Sequence, residues 1–202
     1  MPSAELMTRP PPDEAGDAGV SASGSAAAAE PSDESGAGVA EGHMLTVQCN
    51  LTNTYEHLGR LEEAMRLRRE VYYGQLKLNG EEHQYTLREA NNYSSLLHLL
   101  KQFEEAKSLL RKTMPVARRV LGECHDITIK MRWIYAEALY QDPGATLDGL
   151  GEAVTILEAT ERITRRVFGG AYPLTQGIEI DLRNARATLR AREAGESVVF
   201  VE

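Results

Sequence analysis

The chain has 202 residues, a net charge of −8, 42% hydrophobic and 26% charged residues, the balance of an ordinary globular protein. The charge is uneven: residues 1–42 hold eight acids and one base, and the rest holds 22 acids and 21 bases. A nearly neutral main body excludes nucleic acid as the principal partner, because duplex binding needs a dominant basic face.

Residues 1–42 are mostly Ala, Gly, Ser, Pro, Glu and Asp, with no aromatic residue. That composition supplies too little apolar surface to offset chain entropy, so the reading is a disordered acidic tail. The "AAAA" run is far below the length at which an isolated helix persists. No basic region followed by an apolar core marks a secretory signal, and the acids count against a transit peptide. No apolar stretch approaches the ~18 residues needed to cross a membrane. Cys49 and Cys124 lie 75 residues apart and fit no CxxC pattern, as expected of free thiols in a reducing, cytoplasmic setting.

From Leu45 onward the sequence repeats. "GRLEEA" (59–64), "KQFEEA" (101–106) and "GLGEA" (149–153) close on Ala64, Ala106 and Ala153. Sixteen residues after each comes Gly80, Gly122 or Gly169; three further on His83, His125 or Tyr172; three beyond that Thr86, Thr128 or Thr175. The first step is 42 residues and the second 47, because "YQDPGATLDGLGEA" carries five extra. Repetition at this period signals stacked supersecondary units.

Each unit reads as two helices. Leu87, Ala90, Ser94, Leu97 and Leu100 follow helical spacing, as do Ala106, Leu109, Leu110, Thr113, Val120 and Leu121,. The glycine occupies the position after a second helix, where a left-handed C′ residue is expected. The His-x-x-Thr stretch supplies polar caps for the next helix, and Pro173 suits a first turn. Lys77, Arg118–Arg119 and Arg165–Arg166 fall in the last turns of the second helices, where cations complement the helix dipole. Pro115 should kink its helix, at a cost of roughly 3 kcal/mol if nothing compensates. The units run at about 44–80, 86–122 and 128–169, with a capping helix at about 173–194, all in a repeat domain of residues 43–202.

His83 and His125 therefore mark turns between helix pairs, and Tyr172 stands in the same place in the third copy. The five histidines show no HExxH spacing, and no GKS/T or GxSxG element is present,. The carboxylate pairs Glu62–Glu63 and Glu104–Glu105 belong to the repeated turn as solvated helix starts. No metal, cofactor or catalytic centre is expected.

The stretch from about 44 to 190 resembles tetratricopeptide repeats of the 42-residue, kinesin light chain type. The matching elements are "HLGRLEEA", "LLKQFEEA", "VLGECHDIT" and the "ANNY" of the second unit; small Ser94 and Ala136 favour this type over HEAT or armadillo arrays. The resemblance implies an all-α, right-handed α-solenoid whose first helices line a concave groove, with asparagines that clamp an extended peptide. The matching positions are Asn50 and Asn92, with Ile134 and Asp181 in the two later copies. Arg88 and Asn92 are i,i+4 neighbours on one helix face, and Lys130 is in register with Arg88. Asn50, Arg88, Asn92 and Lys130 would form a basic, amide-bearing stripe selecting an acidic extended segment of a protein partner. Residues 1–42 contain no heptads, so the resemblance does not extend to binding a motor heavy chain.

The function expected is a noncatalytic adaptor or scaffold. The alternatives are a carboxylate-clamp co-chaperone module, for which Lys130 is suited and Ile134 is not, and a regulatory fragment of a larger enzyme. The terminal "VVFVE" is strand-like and reads equally as a docking tail or as the end of a fragment.

Overall fold

A computed structural model describes residues 34–195; the expectations for residues 1–33 and for the terminal "VVFVE" lie outside the described residues. Among the described residues there are seven helices: α1 (Glu34–His57), α2 (Leu61–Asn79), α3 (Gln84–Leu99), α4 (Phe103–Leu121), α5 (Asp126–Tyr140), α6 (Leu147–Phe168) and α7 (Pro173–Glu193). They are three antiparallel pairs followed by a single helix, so the all-α solenoid with a terminal capping helix is the architecture found.

Each helix packs on the next in sequence. In addition α3 touches α5 and α5 touches α7, while α2, α4 and α6 make no direct contact with one another. From α3 to α7 the first helices lie closer to one another than the second helices do, and so form the inner layer of that part of the stack. The core between the layers is apolar: Leu87, Leu97, Leu110, Ile129, Met131, Leu150, Leu157 and Ile178 are all fully buried. The repeat alanines Ala64, Ala106 and Ala153 have no exposure, which lets the two helices of each pair approach closely. Stacking thus buries faces that no single unit could bury alone.

The turns between units repeat in atomic detail. His83 Nδ1 accepts from the backbone N–H of Tyr85 at 3.2 Å, and His125 Nδ1 from that of Ile127 at 3.2 Å. Each histidine caps the helix that follows it. Thr86 donates to the Gln75 carbonyl at 3.1 Å and Thr128 to the Ala117 carbonyl at 3.4 Å, tying each first helix to the preceding second helix. In the third copy Tyr172 makes no side-chain cap and Pro173 opens the helix. Gly80, Gly122 and Gly169 have φ of 80°, 90° and 86°, but ψ of 173°, 166° and 164°. This corrects the expected left-handed helical C′ geometry. The chain leaves each helix in an extended, positive-φ conformation open essentially to glycine alone.

Three further expectations are adjusted. The tail expected to reach residue 42 gives way earlier, because α1 begins at Glu34. An isolated helix of this composition would not persist; here Gly38 and Gly42 face Leu78 of α2, so close that an added methyl would stand 3.9 and 3.8 Å from its side chain. Pro115 lies inside α4, which continues through it without a break. The proline is exposed, so water can serve the Arg111 carbonyl that loses its helical donor. The five extra residues of unit three arise from a longer connection, 141–146, and an α6 of 22 residues against 19 for α2 and α4, offset by an α5 of 15 residues against 16 for α3. Thr146 caps that longer helix by accepting from the Gly149 N–H at 3.1 Å.

Candidate functional site

The inner layer carries the residues singled out in the sequence. Asn50 is exposed on α1. Arg88 is half exposed on α3; its guanidinium lies 4.8 Å from the centre of the Tyr85 ring and its Nε 3.4 Å from Glu89 Oε1. Asn92 donates through Nδ2 to Glu89 Oε2 at 3.4 Å. Lys130, on α5, is held by Asp126 one turn earlier at 3.0 Å. Arg88 and Asn92 are thus brought together on a shared carboxylate, while Lys130 is paired separately and Asn50 stands on the neighbouring first helix.

That shared carboxylate belongs to a network that sequence reasoning missed. Glu89 is 1% exposed and Arg68, from α2, is 2% exposed. Arg68 donates to Asn53 Oδ1 at 2.8 Å and to Glu56 Oε1 at 2.6 Å, both on α1, and to Glu89 Oε2 on α3 at 3.4 Å. Its Nη1 also lies 3.7 Å from Cys49 Sγ. Burial, reinforced by the Glu89 charge, pushes the Cys49 thiol up from its ordinary value, so this cysteine is protonated and unreactive at neutral pH. The backbones of α1 and α3 do not approach within 8 Å; the Arg68 side chain and the Cys49 thiol, 3.7 Å from Glu89 Oε1, span the junction. The signal was in the register. Forty-two residues after Arg68 stands Leu110, and 47 further Leu157, both fully buried.

A second network joins α5 to α7. Asp181 Oδ2 accepts from Trp133 Nε1 at 2.6 Å and its Oδ1 from the Tyr140 hydroxyl at 2.5 Å. Gln141 donates to the Tyr140 oxygen at 3.1 Å, and its Oε1 lies 3.2 Å from His98 Nε2 on α3. Glu137 shares a hydrogen bond with Asp181; burial, then the charge and hydrogen bond of Asp181, raise its carboxyl to about 8. Glu137 is therefore largely protonated at neutral pH and donates to Asp181. Burial pushes the His98 imidazole down and, with Asp181, pushes the Tyr140 hydroxyl up. The Trp133 ring is admitted because α7 has Gly177 beside it: a methyl there would come within 2.6 Å of the indole. Asp181 occupies the same register as Asn50, Asn92 and Ile134, so the inner stripe changes from amide to apolar to acid along the stack.

Among the described residues no group of three His, Cys, Asp or Glu side chains is placed to hold a metal ion, and no helix is long and apolar enough to cross a membrane. His83 and His125 are occupied as helix caps.

The tetratricopeptide repeat family matches residues 44–85 and 86–126. These bounds run from within α1 through α4 and the turn that follows it. Residues 44–126 are thus two tetratricopeptide repeats, and the described residues have the fold of kinesin light chain repeats. Solved structures of nearly identical TPR-like repeats from a kinesin light chain of Podosopora anserina superpose on this fold. One has a TM-score of 0.59 at 24% identity, covering 74% of this chain and 69% of that one. A point variant of the same repeats has a TM-score of 0.61 at 22% identity, covering 74% and 68%. BtubC (BKLC) from P. vanneervenii has a TM-score of 0.56 at 15% identity, covering 80% and 69%. No curated protein matches the sequence. Tetratricopeptide repeats indicate a protein–protein interaction module, and this repeat protein is one by that criterion.

Proposed function

We propose that this repeat protein is a noncatalytic, cytoplasmic adaptor whose inner face holds an extended segment of a partner protein. The segment is acidic where it crosses α3 and α5. The observation that carries the reading is the shared register of Asn50 and Asn92 on successive first helices, with Arg88 and Lys130 in register beside them. An asparagine amide can serve both the donor and the acceptor of an extended backbone, each hydrogen bond netting about 0.5–1.5 kcal/mol. Arg88 and Lys130 are about half exposed and already meet Glu89 and Asp126. Each adds no more than about 1 kcal/mol toward an acidic partner. The sum supports micromolar, salt-sensitive binding.

The test is fluorescence anisotropy with a set of extended acidic peptides and their neutral counterparts. The double change Arg88→Glu with Lys130→Glu should preserve helical circular dichroism and weaken acidic binding at least tenfold. Equal binding by that variant would remove the stripe as the site.

A further inference from the structure

The first helix carries an apolar stripe that nothing within the described residues covers. Met44 is 61% exposed, Val47 63%, Leu51 41% and Leu58, just past the helix end, 66%. In every later first helix the same register is buried. Met44 aligns with Thr86, Thr128 and Thr175; Val47 with Glu89, Met131 and Ile178; Leu51 with Tyr93, Tyr135 and Leu182; all nine are buried. In those helices the face lies under the preceding unit's second helix, and two of the threonines donate to that helix's backbone. Met44 has no hydroxyl to do so, which marks α1 as adapted to a different neighbour.

The stripe has a spacing of its own. Ala40, Met44, Val47, Leu51, Thr54 and Leu58 are all exposed and follow one another by 4, 3, 4, 3 and 4 residues. That is the seam of a helix built to pack along another helix at a shallow angle. The seam carries no charged side chain, so it is complementary to itself.

We infer that α1 pairs with α1 of a second copy of this chain, seam to seam about a two-fold axis. Two observations favour a second copy over other occupants. Residues 1–33 offer only Met1, Leu6, Met7 and Val20 as large apolar side chains, too few to match a seam of this length. Head-to-tail stacking would set the α1 seam against α7, which exposes Arg183 and Arg190 beside Ile180, and would strip water from those cations. A two-fold pairing avoids that cost and closes on itself. One seam of about 27 Å falls at the low end of specific interfaces, below ~1,200 Å² in total, so the dimer forms only at elevated concentration.

Sedimentation equilibrium of the full chain tests this between about 5 and 500 µM, the range fitting so small an interface. The average mass should rise from 22.3 kDa toward twice that value. Met44→Glu with Val47→Glu alters exposed side chains only and should raise the dissociation constant at least tenfold with helicity unchanged. Thr54→Leu, which extends the apolar seam, should lower it. A monomer at every concentration would overturn the inference, as would a dimer indifferent to these changes. So would a dimer dispersed by Ile180→Glu on exposed α7, which would place the interface at the other end.

Discussion

The junction between the first and second units and the junction between the third unit and the capping helix are both polar, yet they solve the burial of charge differently. At the first, a cation is imported: Arg68 reaches between α1 and α3 and meets Glu56 and Glu89. At the last, no such cation is present in the network, and a proton does the same work, shared between Glu137 and Asp181 with Trp133 and Tyr140 as donors. Between them α3, α4 and α5 meet through the apolar Leu97, Leu110 and Met131 with Tyr135, and the one buried cation of that stretch, Lys107, is paired with Glu104 and Asp142. A charge can enter a stacked repeat only with its compensation, and the two ends show that a guanidinium or a proton will serve. The guanidinium makes the first junction indifferent to pH across the neutral range. The proton makes the last one sensitive to it.

The largest effect should come from removing the imported cation. Arg68→Ala removes the buried cation from the Glu89 carboxylate, leaving it with the half-exposed Arg88 and the Asn92 amide, and should cost about 3–5 kcal/mol, read as a lower urea midpoint. The paired change Arg68→Leu with Glu89→Met installs what units two and three have at these positions, Leu110 and Met131. It should be neutral or stabilising by about 1–4 kcal/mol. A double variant as unstable as Arg68→Ala would mean that the ion pair organises the junction geometry and not merely its charge.

The last junction gives a pH dependence of definite sign. Glu137 releases its proton in the unfolded chain near the ordinary carboxylate value, and in the folded chain only near about 8. The folded protein therefore binds more protons in that window, and its stability falls as pH rises through it. The depressed His98 acts in the opposite direction but only below its ordinary value of about 6.5,. Urea midpoints compared between about pH 7 and 8.5 thus report mainly the carboxyl pair, with a smaller loss of the same sign from the raised Cys49 thiol at the upper end, and wild type should lose on the order of 1 kcal/mol. Glu137→Gln, an uncharged donor to Asp181 at every pH, should flatten that slope. A wild-type protein already flat over the same range would show that the pair holds no proton.

A smaller effect is expected at Gly177. Alanine there brings a methyl within 2.6 Å of the Trp133 ring, and the ring must shift away from Asp181. The cost should be about 1–3 kcal/mol, with a change in tryptophan fluorescence. An unchanged emission spectrum would mean that the indole does not depend on that gap.

Much of this architecture is legible in the sequence because it is local. The closing alanines, the turn glycines, the histidine caps and the tying threonines recur at fixed offsets, and each serves a backbone need within a few residues. The geometry after each second helix is not legible in the same way, because a glycine signals positive φ without specifying ψ. The start of α1 escapes the sequence for a different reason. At Gly38 and Gly42 the helix runs beside Leu78 of the next helix, and composition alone carries no trace of that contact. The register even names Asp181 as the fourth member of the asparagine series. It does not show that Trp133 and Tyr140, one helix earlier in the inner layer, take both of its oxygens.

The sequence by itself determined the period, the helix pairs, the turns and the inner register holding Asn50, Arg88, Asn92 and Lys130, because these follow from chain geometry and propensity over short distances. Only the tertiary structure decided which charges meet across the stack, that Arg68 bridges α1 and α3, that Glu137 shares its proton with Asp181, and that the face of α1 stays open. Those outcomes depend on side chains from separate helices meeting in a low-dielectric interior, where a charge must find a partner or a proton, and an apolar face left uncovered keeps its cost until another surface takes it up.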